Sequence, residues 1–112
     1  MTLPRPLTPA LAAAIAERFR LLSEPTRLRL LDLLADGERT VGSLADELGC
    51  TQANVSKHLA LLADAGLVER RRQGLHGYYR VCDPAVFALC AQVCETLRRH
   101  ADARAAALRE PA

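Results

Sequence analysis

Two short amphipathic segments lie almost end to end between residues 40 and 65. Thr40 and Thr51 stand where the segments begin, and a threonine side chain commonly caps the first turn of a helix. Gly49 stands where the first segment ends, a position at which glycine often terminates helices. Because only a tight turn fits between them, we expect the two helices to form a helix-turn-helix. No other feature of the chain constrains the fold as strongly.

Three further helices are expected around this pair. Two precede it, and each begins at a proline and carries apolar side chains at helical spacing. The last one follows the pair Asp83-Pro84 and carries an apolar stripe that includes two cysteines. The expected helices cover residues 9–22, 25–36 and 84–106.

A β-hairpin is expected between the fourth and the last helix. Residues 67–69 open an extended segment, and residues 78–81 form its returning partner. Two glycines bracket a tip at residues 73–77. The element order is therefore ααααββα, a mainly α fold with a small β-hairpin, in a single domain over residues 1–112. We expect residues 1–7 and 107–112 to fray.

Composition excludes several classes of protein. The chain has 112 residues, 50% of them apolar and 25% charged, with a net charge of +2. These values are typical of a globular protein and not of a disordered one. The sequence has no apolar run long enough to span a membrane and no signal-peptide pattern. The interpretation is a cytoplasmic protein whose thiols stay reduced.

The second helix of the pair presents a polar outer face. Its amide, hydroxyl and ammonium groups suit hydrogen bonding to base edges and phosphates, and its alanine suits contact with a thymine methyl. No acidic residue occurs between Thr51 and Ala63, so nothing there repels phosphate. An ordinary solvated helical hairpin is the alternative explanation. The candidate DNA-binding residues are Thr51, Gln52, Ala53, Asn54, Ser56 and Lys57.

The hairpin favours the DNA-binding interpretation over that alternative. Arg70, Arg71 and Arg72 enter it and Arg80 leaves it, so basic residues cluster on one ribbon. A solvated run of charged residues usually carries both signs of charge, whereas we expect this ribbon to carry positive charge only. A basic ribbon after a helix-turn-helix is a wing, which holds the phosphates flanking the bases that are read.

Four motifs of the chain are SEPTRLRLL (23–31), QANVSKHL (52–59), GLV (66–68) and GYYRV (77–81). With them, residues 13–97 closely resemble the ArsR/SmtB family of bacterial repressors. The resemblance implies a winged-helix homodimer built through the first and last helices, and binding to a double-stranded DNA operator that an inducer relaxes. It places Gln52, Ser56 and Lys57 on the base-reading helix with His58 beside them.

On the wing, the same resemblance implies that Arg71, Arg72 and Gly74 contact DNA. This sequence departs from the family at Leu75 and His76, where many members carry a further basic residue. We therefore expect fewer wing contacts to phosphate.

Two metal sites that the family uses are not matched. The thiolate site on the third helix needs cysteines near residues 41–46, and there are none. The site on the last helix retains Asp83, but Ala85, Thr96 and Arg99 occupy its other positions. A guanidinium cannot bind a cation.

Three cysteines form another candidate sensor. Cys90 and Cys94 are four residues apart on one helical face, and thiolates in that arrangement suit a soft ion such as arsenite, cadmium or mercury. Cys82 could complete the set from either subunit. Redox or persulfide sensing and plain packing as small apolar residues remain open alternatives. We interpret Cys50, in the turn, as packing.

Two other functional classes compete with DNA binding. An enzyme is disfavoured because the sequence has no nucleophile–base pairing, phosphate loop or metalloprotease-type histidine pair. A protein-interaction module could use the last helix as its contact surface. Such a module has no need of a basic wing, and so DNA binding is the prediction.

Overall fold

The computed structural model describes residues 2–109. The chain divides into two compact units, Met1–Cys82 and Asp83–Ala112. The prediction of one domain over residues 1–112 stays a prediction. No helix within the described part of the chain is long and apolar enough to cross a bilayer.

The first unit contains four helices, and each of the four predicted starts is confirmed. Threonine hydroxyls cap three of them: Thr8 accepts from the amide of Leu11, Thr40 from that of Ser43 and Thr51 from that of Asn54, all at 3.1 Å. Glu24 caps the remaining one. The helices are α1 (Pro9–Leu22), α2 (Pro25–Leu34), α3 (Val41–Leu48) and α4 (Gln52–Asp64).

A three-stranded antiparallel sheet completes this unit, in the order β1-β3-β2. Its strands are β1 (Arg39–Thr40), β2 (Val68–Gln73) and β3 (His76–Val81). The predicted two-stranded hairpin is confirmed as β2 and β3, and a third strand joins it, so the element order is ααβααββα. Strand β1 has only two residues, too few for an alternating pattern, and exists because it pairs with Tyr78 and Tyr79 of β3.

The turn of the hairpin is shorter than predicted. Only Gly74 and Leu75 lie outside the strands, because Gln73 pairs with His76 and Arg72 pairs with Gly77. Gly74 has φ 61°, the left-handed conformation that two-residue hairpin loops demand and glycine readily supplies. The paired strands therefore extend to the loop itself.

The core of the first unit is aliphatic. In α2 the buried leucines are Leu30, Leu31 and Leu34, whereas Leu28 is 39% exposed. Helices α3 and α4 pack against each other, as do α2 and α4. The largest fully buried side chains are Leu30, Leu44, Val55, Leu59, Leu62, Leu67 and Val68.

In its described part, the second unit contains a single helix, α5 (Ala85–Arg109). The carboxylate of Asp83 accepts from the amide of Ala85 at 3.2 Å, which confirms a start next to Asp83-Pro84. The helix runs three residues beyond the predicted end, so residues 107–109 are helical; the rest of the segment predicted to fray lies outside the described residues. Val93 and Leu97 are 51% and 63% exposed.

Candidate nucleic-acid interface

Helix α4 separates its apolar anchors from a polar outer face. Val55 and Leu59 are fully buried. The candidate residues between and before these anchors are exposed, and they are Thr51, Gln52, Ala53, Asn54, Ser56 and Lys57. The Thr51 hydroxyl already accepts from the Asn54 amide, so Thr51 begins the helix as well as lying at its exposed end. The other five side chains spread over one broad exposed face of the helix, which we call the α4 row.

The side chain of Gln52 lies over α3. A Cβ atom at Gly42 would be 3.4 Å from the Gln52 amide nitrogen, about van der Waals contact. The Gln52 side chain therefore lies next to Gly42 where the two helices meet.

His58 lies apart from the exposed row. Its side chain is only 13% exposed, its Nδ1 accepts from the Nε of Arg27 at 3.2 Å, and its Nε2 lies 3.8 Å from a carboxylate oxygen of Glu24. Arg27 also donates to the carbonyl of Leu21 at 2.9 Å. This geometry connects α4 to the start of α2. It favours a role for His58 in positioning the helix over direct contact with DNA.

The wing, residues 68–81, has two faces of different character. Side chains alternate along a strand, so Arg70 and Arg72 share one face while Glu69 and Arg71 share the other. We call the first the basic face and the second the paired face. The cross-strand partners are Tyr79 and Gly77 on the basic face, and Arg80 and Tyr78 on the paired face.

Both arginines of the paired face contact a carboxylate. Arg71 Nε donates to Glu38 at 2.8 Å, and Arg80 forms an ion pair with Glu69 across the strands. The hydrogen bond to Glu38 raises the pKa of the Arg71 guanidinium above its usual value. Arg71 also lies 5.2 Å from the ring centre of Tyr78. The expectation of a uniformly basic wing is therefore wrong, because two acids neutralise part of its charge.

The basic face carries the uncompensated charge. Arg70 and Arg72 are exposed, and neither contacts a carboxylate among residues 2–109. The Arg70 guanidinium lies across Gly77, where a Cβ atom would come within 2.5 Å of its Nε. The sequence placed Arg70 on the basic ribbon but not among the residues expected to contact DNA. Strand alternation places it on the same face as Val68 and Arg72.

The cysteines divide between the two units. Cys82 is exposed and its Sγ donates to the carbonyl of Gly66 at 3.2 Å. On α5, Cys90 is half-buried and Cys94 is exposed, with Arg98 Nη2 at 3.9 Å from the Cys94 sulfur. Cys50 is half-buried beside the carbonyl of Leu48. Within one chain, residues 2–109 contain no group of three or more His, Cys, Asp or Glu arranged to hold a metal ion.

Comparison with known proteins agrees with this geometry. Residues 22–71 match the family described as "Helix-turn-helix domain". The chain is 45% identical over 71 residues to the "Probable mercury resistance operon repressor" of Streptomyces lividans, a match that covers 63% of this chain and 57% of that protein. It is 35% identical over 96 residues to the uncharacterized HTH-type transcriptional regulator Rv0081 of Mycobacterium tuberculosis, covering 85% and 84% of the two chains.

Solved structures give the same result. The crystal structure of Rv0081 superposes with a TM-score of 0.78 at 34% identity, over 88% of this chain and 99% of that one. The solution structure of a homodimeric winged helix-turn-helix domain from Mycobacterium bovis, described as a possible ArsR-family regulator, gives 0.72 at 36% identity, over 89% and 93%. The chain belongs to the ArsR/SmtB family. It is a DNA-binding transcriptional regulator with the winged helix-turn-helix fold and not an enzyme, as the sequence predicted.

Proposed function

We propose that this ArsR/SmtB regulator is a cytoplasmic repressor that binds a two-fold related DNA operator as a homodimer. The observation that carries the proposal is the pairing, in one unit, of an acid-free exposed row on α4 with a wing face whose arginines have no carboxylate partner among residues 2–109. The α4 row meets base edges, and the basic face of the wing meets phosphates.

The α4 row and the wing have different roles because their side chains differ in chemistry. Amide and hydroxyl groups such as those of Gln52 and Ser56 both donate and accept, so they distinguish base pairs in the major groove. Guanidinium groups such as those of Arg70 and Arg72 neutralise phosphates, which are the same at every base pair and carry no sequence information. The α4 row therefore supplies specificity, and the wing supplies affinity that weakens with salt.

Homodimer formation is supported by apolar surface that one chain leaves exposed. Phe19 of α1 is 53% exposed, and Val93 and Leu97 of α5 are more than half exposed. Burial of the exposed half of such side chains in a dimer would gain roughly half of the 1.5–3 kcal/mol of a full burial. The homodimeric relative from Mycobacterium bovis supports the same assembly.

We further propose that a thiophilic ion releases the protein from DNA, with Cys90 and Cys94 as ligands and Cys82 completing the set from the same or the partner subunit. Residues four apart in a helix have Cβ atoms about 5–6 Å apart, close enough to share one soft ion. The relative from Streptomyces lividans is described as a mercury resistance operon repressor, which supports an ion of this class. Redox or persulfide sensing is the second candidate, because Cys94 is exposed and reachable by such reagents.

Footprinting on the chain's own promoter, over a range of salt concentrations, tests the DNA-binding proposal. We expect two half-sites about 34 Å apart, which is one helical turn. The logarithm of affinity should fall by about 0.9 per phosphate contact for each unit of log salt. A single half-site, or binding that is indifferent to salt, contradicts the proposal.

A further inference from the structure

The tip of the wing carries a leucine that the fold does not need. Leu75 is the second residue of the two-residue loop, and its side chain is fully exposed. Gly74 alone adopts the left-handed conformation that the loop requires. Turn positions of this kind are dominated by glycine and small polar residues. Neither the turn nor the core therefore accounts for a large apolar side chain here.

We propose that Leu75 enters the DNA minor groove beside the major groove occupied by α4 and wedges between two base pairs. The proposal rests on the proposed function, because it requires the wing to lie on duplex DNA. The proposal goes beyond phosphate contact, because insertion of a leucine makes the affinity depend on how easily a base step unstacks. Pyrimidine–purine steps open most easily and should be favoured at this position.

The length of the wing permits this contact. Six-residue strands extend about 20 Å from the buried Val68 to the loop. The minor groove is only about 6 Å wide, so a ribbon of this length can cross the backbone next to α4 and place its tip in the neighbouring groove. Strand pairing continues to Gln73 and His76, so the tip is held on a hydrogen-bonded ribbon.

The side chains beside Leu75 suit a groove lined by phosphates. Arg72 lies on the basic face two residues before the loop, and it is exposed without a carboxylate partner in the described chain. His76 is exposed on the other side of the loop. A leucine flanked by such groups matches the chemistry of architectural proteins, which anchor on phosphate and insert an apolar wedge.

The experiment compares Leu75→Ala and Leu75→Arg with the unchanged protein on a duplex that the protein selects from a random pool. 2-Aminopurine, placed in turn at steps flanking the α4 footprint, reports unstacking. We expect one step to become fluorescent with the unchanged protein and to stay quenched with either variant. Affinity should fall about tenfold for Leu75→Ala, corresponding to the loss of one buried leucine. For Leu75→Arg, affinity should be retained through phosphate contact.

Controls separate this inference from the proposed function. Leu3→Ala removes another exposed leucine outside the wing and should change neither signal. Gln52-dependent discrimination between operator and random DNA should persist in Leu75→Ala. If the alanine variant binds with unchanged affinity and unstacks the same step, Leu75 is not a wedge and the regulator function stands. If the unchanged protein binds no duplex, both proposals are overturned.

Discussion

Arg71 of the wing donates a hydrogen bond to Glu38, which immediately precedes β1, at 2.8 Å between Nε and Oε2. The same guanidinium donates to the side chain of Gln73 at 2.9 Å. Arg71 is thus held against its own protein, whereas Arg72, the next residue, points to the opposite face without a carboxylate partner in residues 2–109. Two adjacent arginines that look equivalent in sequence have different charge environments.

Removal of the Glu38 carboxylate should strengthen binding to any duplex. In Glu38→Gln the charge of Arg71 becomes available to phosphate, so the slope of log affinity against log salt should steepen by about 0.9. Salt titrations on operator and random DNA measure this. Glu17→Gln breaks a comparable exposed ion pair with Arg20 on α1 and should leave the slope unchanged. Weaker binding by Glu38→Gln would show instead that the pair orients Arg71 for contact.

Base reading and phosphate binding should separate by mutation. Gln52→Ala or Ser56→Ala should reduce discrimination between operator and random DNA by about 1–3 kcal/mol, the value of a lost base contact. Arg70→Ala or Arg72→Ala should weaken binding to both duplexes equally. Titration of each variant against both DNAs decides the matter. Equal losses on both duplexes for the α4 variants would contradict the assignment.

His58 and Lys57 are neighbours with different expected roles. His58→Ala removes the acceptor for Arg27 from a half-buried site, and we expect a loss of about 1 kcal/mol in the free energy of unfolding. Lys57→Ala alters an exposed side chain and should change DNA affinity with no change in Tm. Thermal melts and DNA titrations on both variants provide the test. An unchanged Tm for His58→Ala, with a large loss of operator discrimination, would favour direct contact of His58 with DNA.

The cysteine proposal predicts a selective loss of response. Cys90→Ser and Cys94→Ser should keep DNA binding but lose the release caused by arsenite, cadmium or mercury ions. Cys50→Ser should retain both. In the unchanged protein we expect ion binding to weaken DNA affinity about 5- to 150-fold. Ion binding should also strengthen as pH rises from acid towards neutral, because thiols must lose protons to become ligands.

The same titration separates the alternatives. Release by an oxidant or persulfide where the ions have no effect would point to redox sensing. If both serine variants still respond to every thiophilic ion, Cys90 and Cys94 serve only as packing residues and the inducer binds elsewhere.

Local chemistry explains which parts of the fold the sequence could predict. Thr8, Thr40 and Thr51 cap helices through hydrogen bonds to amides three residues away, and Gly49 ends α3 in the left-handed conformation at φ 67°. Such interactions depend on neighbours in the chain, so composition and spacing suffice to recognise them. The exposed row on α4 follows from the same reasoning, since helical periodicity separates it from buried Val55.

Tertiary structure decided the contacts between residues far apart in sequence. The Arg71–Glu38 bond spans 33 residues and the Arg27–His58 bond spans 31. Strand β1 likewise exists only through its pairing with Tyr78 and Tyr79. Nothing in the local sequence specifies such partners, because they meet only after the helices and strands have packed. The sequence by itself therefore determined the helix-turn-helix and its outward residues. The packed fold decided which arginines of the wing lack a carboxylate partner among residues 2–109, and it placed the His58 side chain against Arg27.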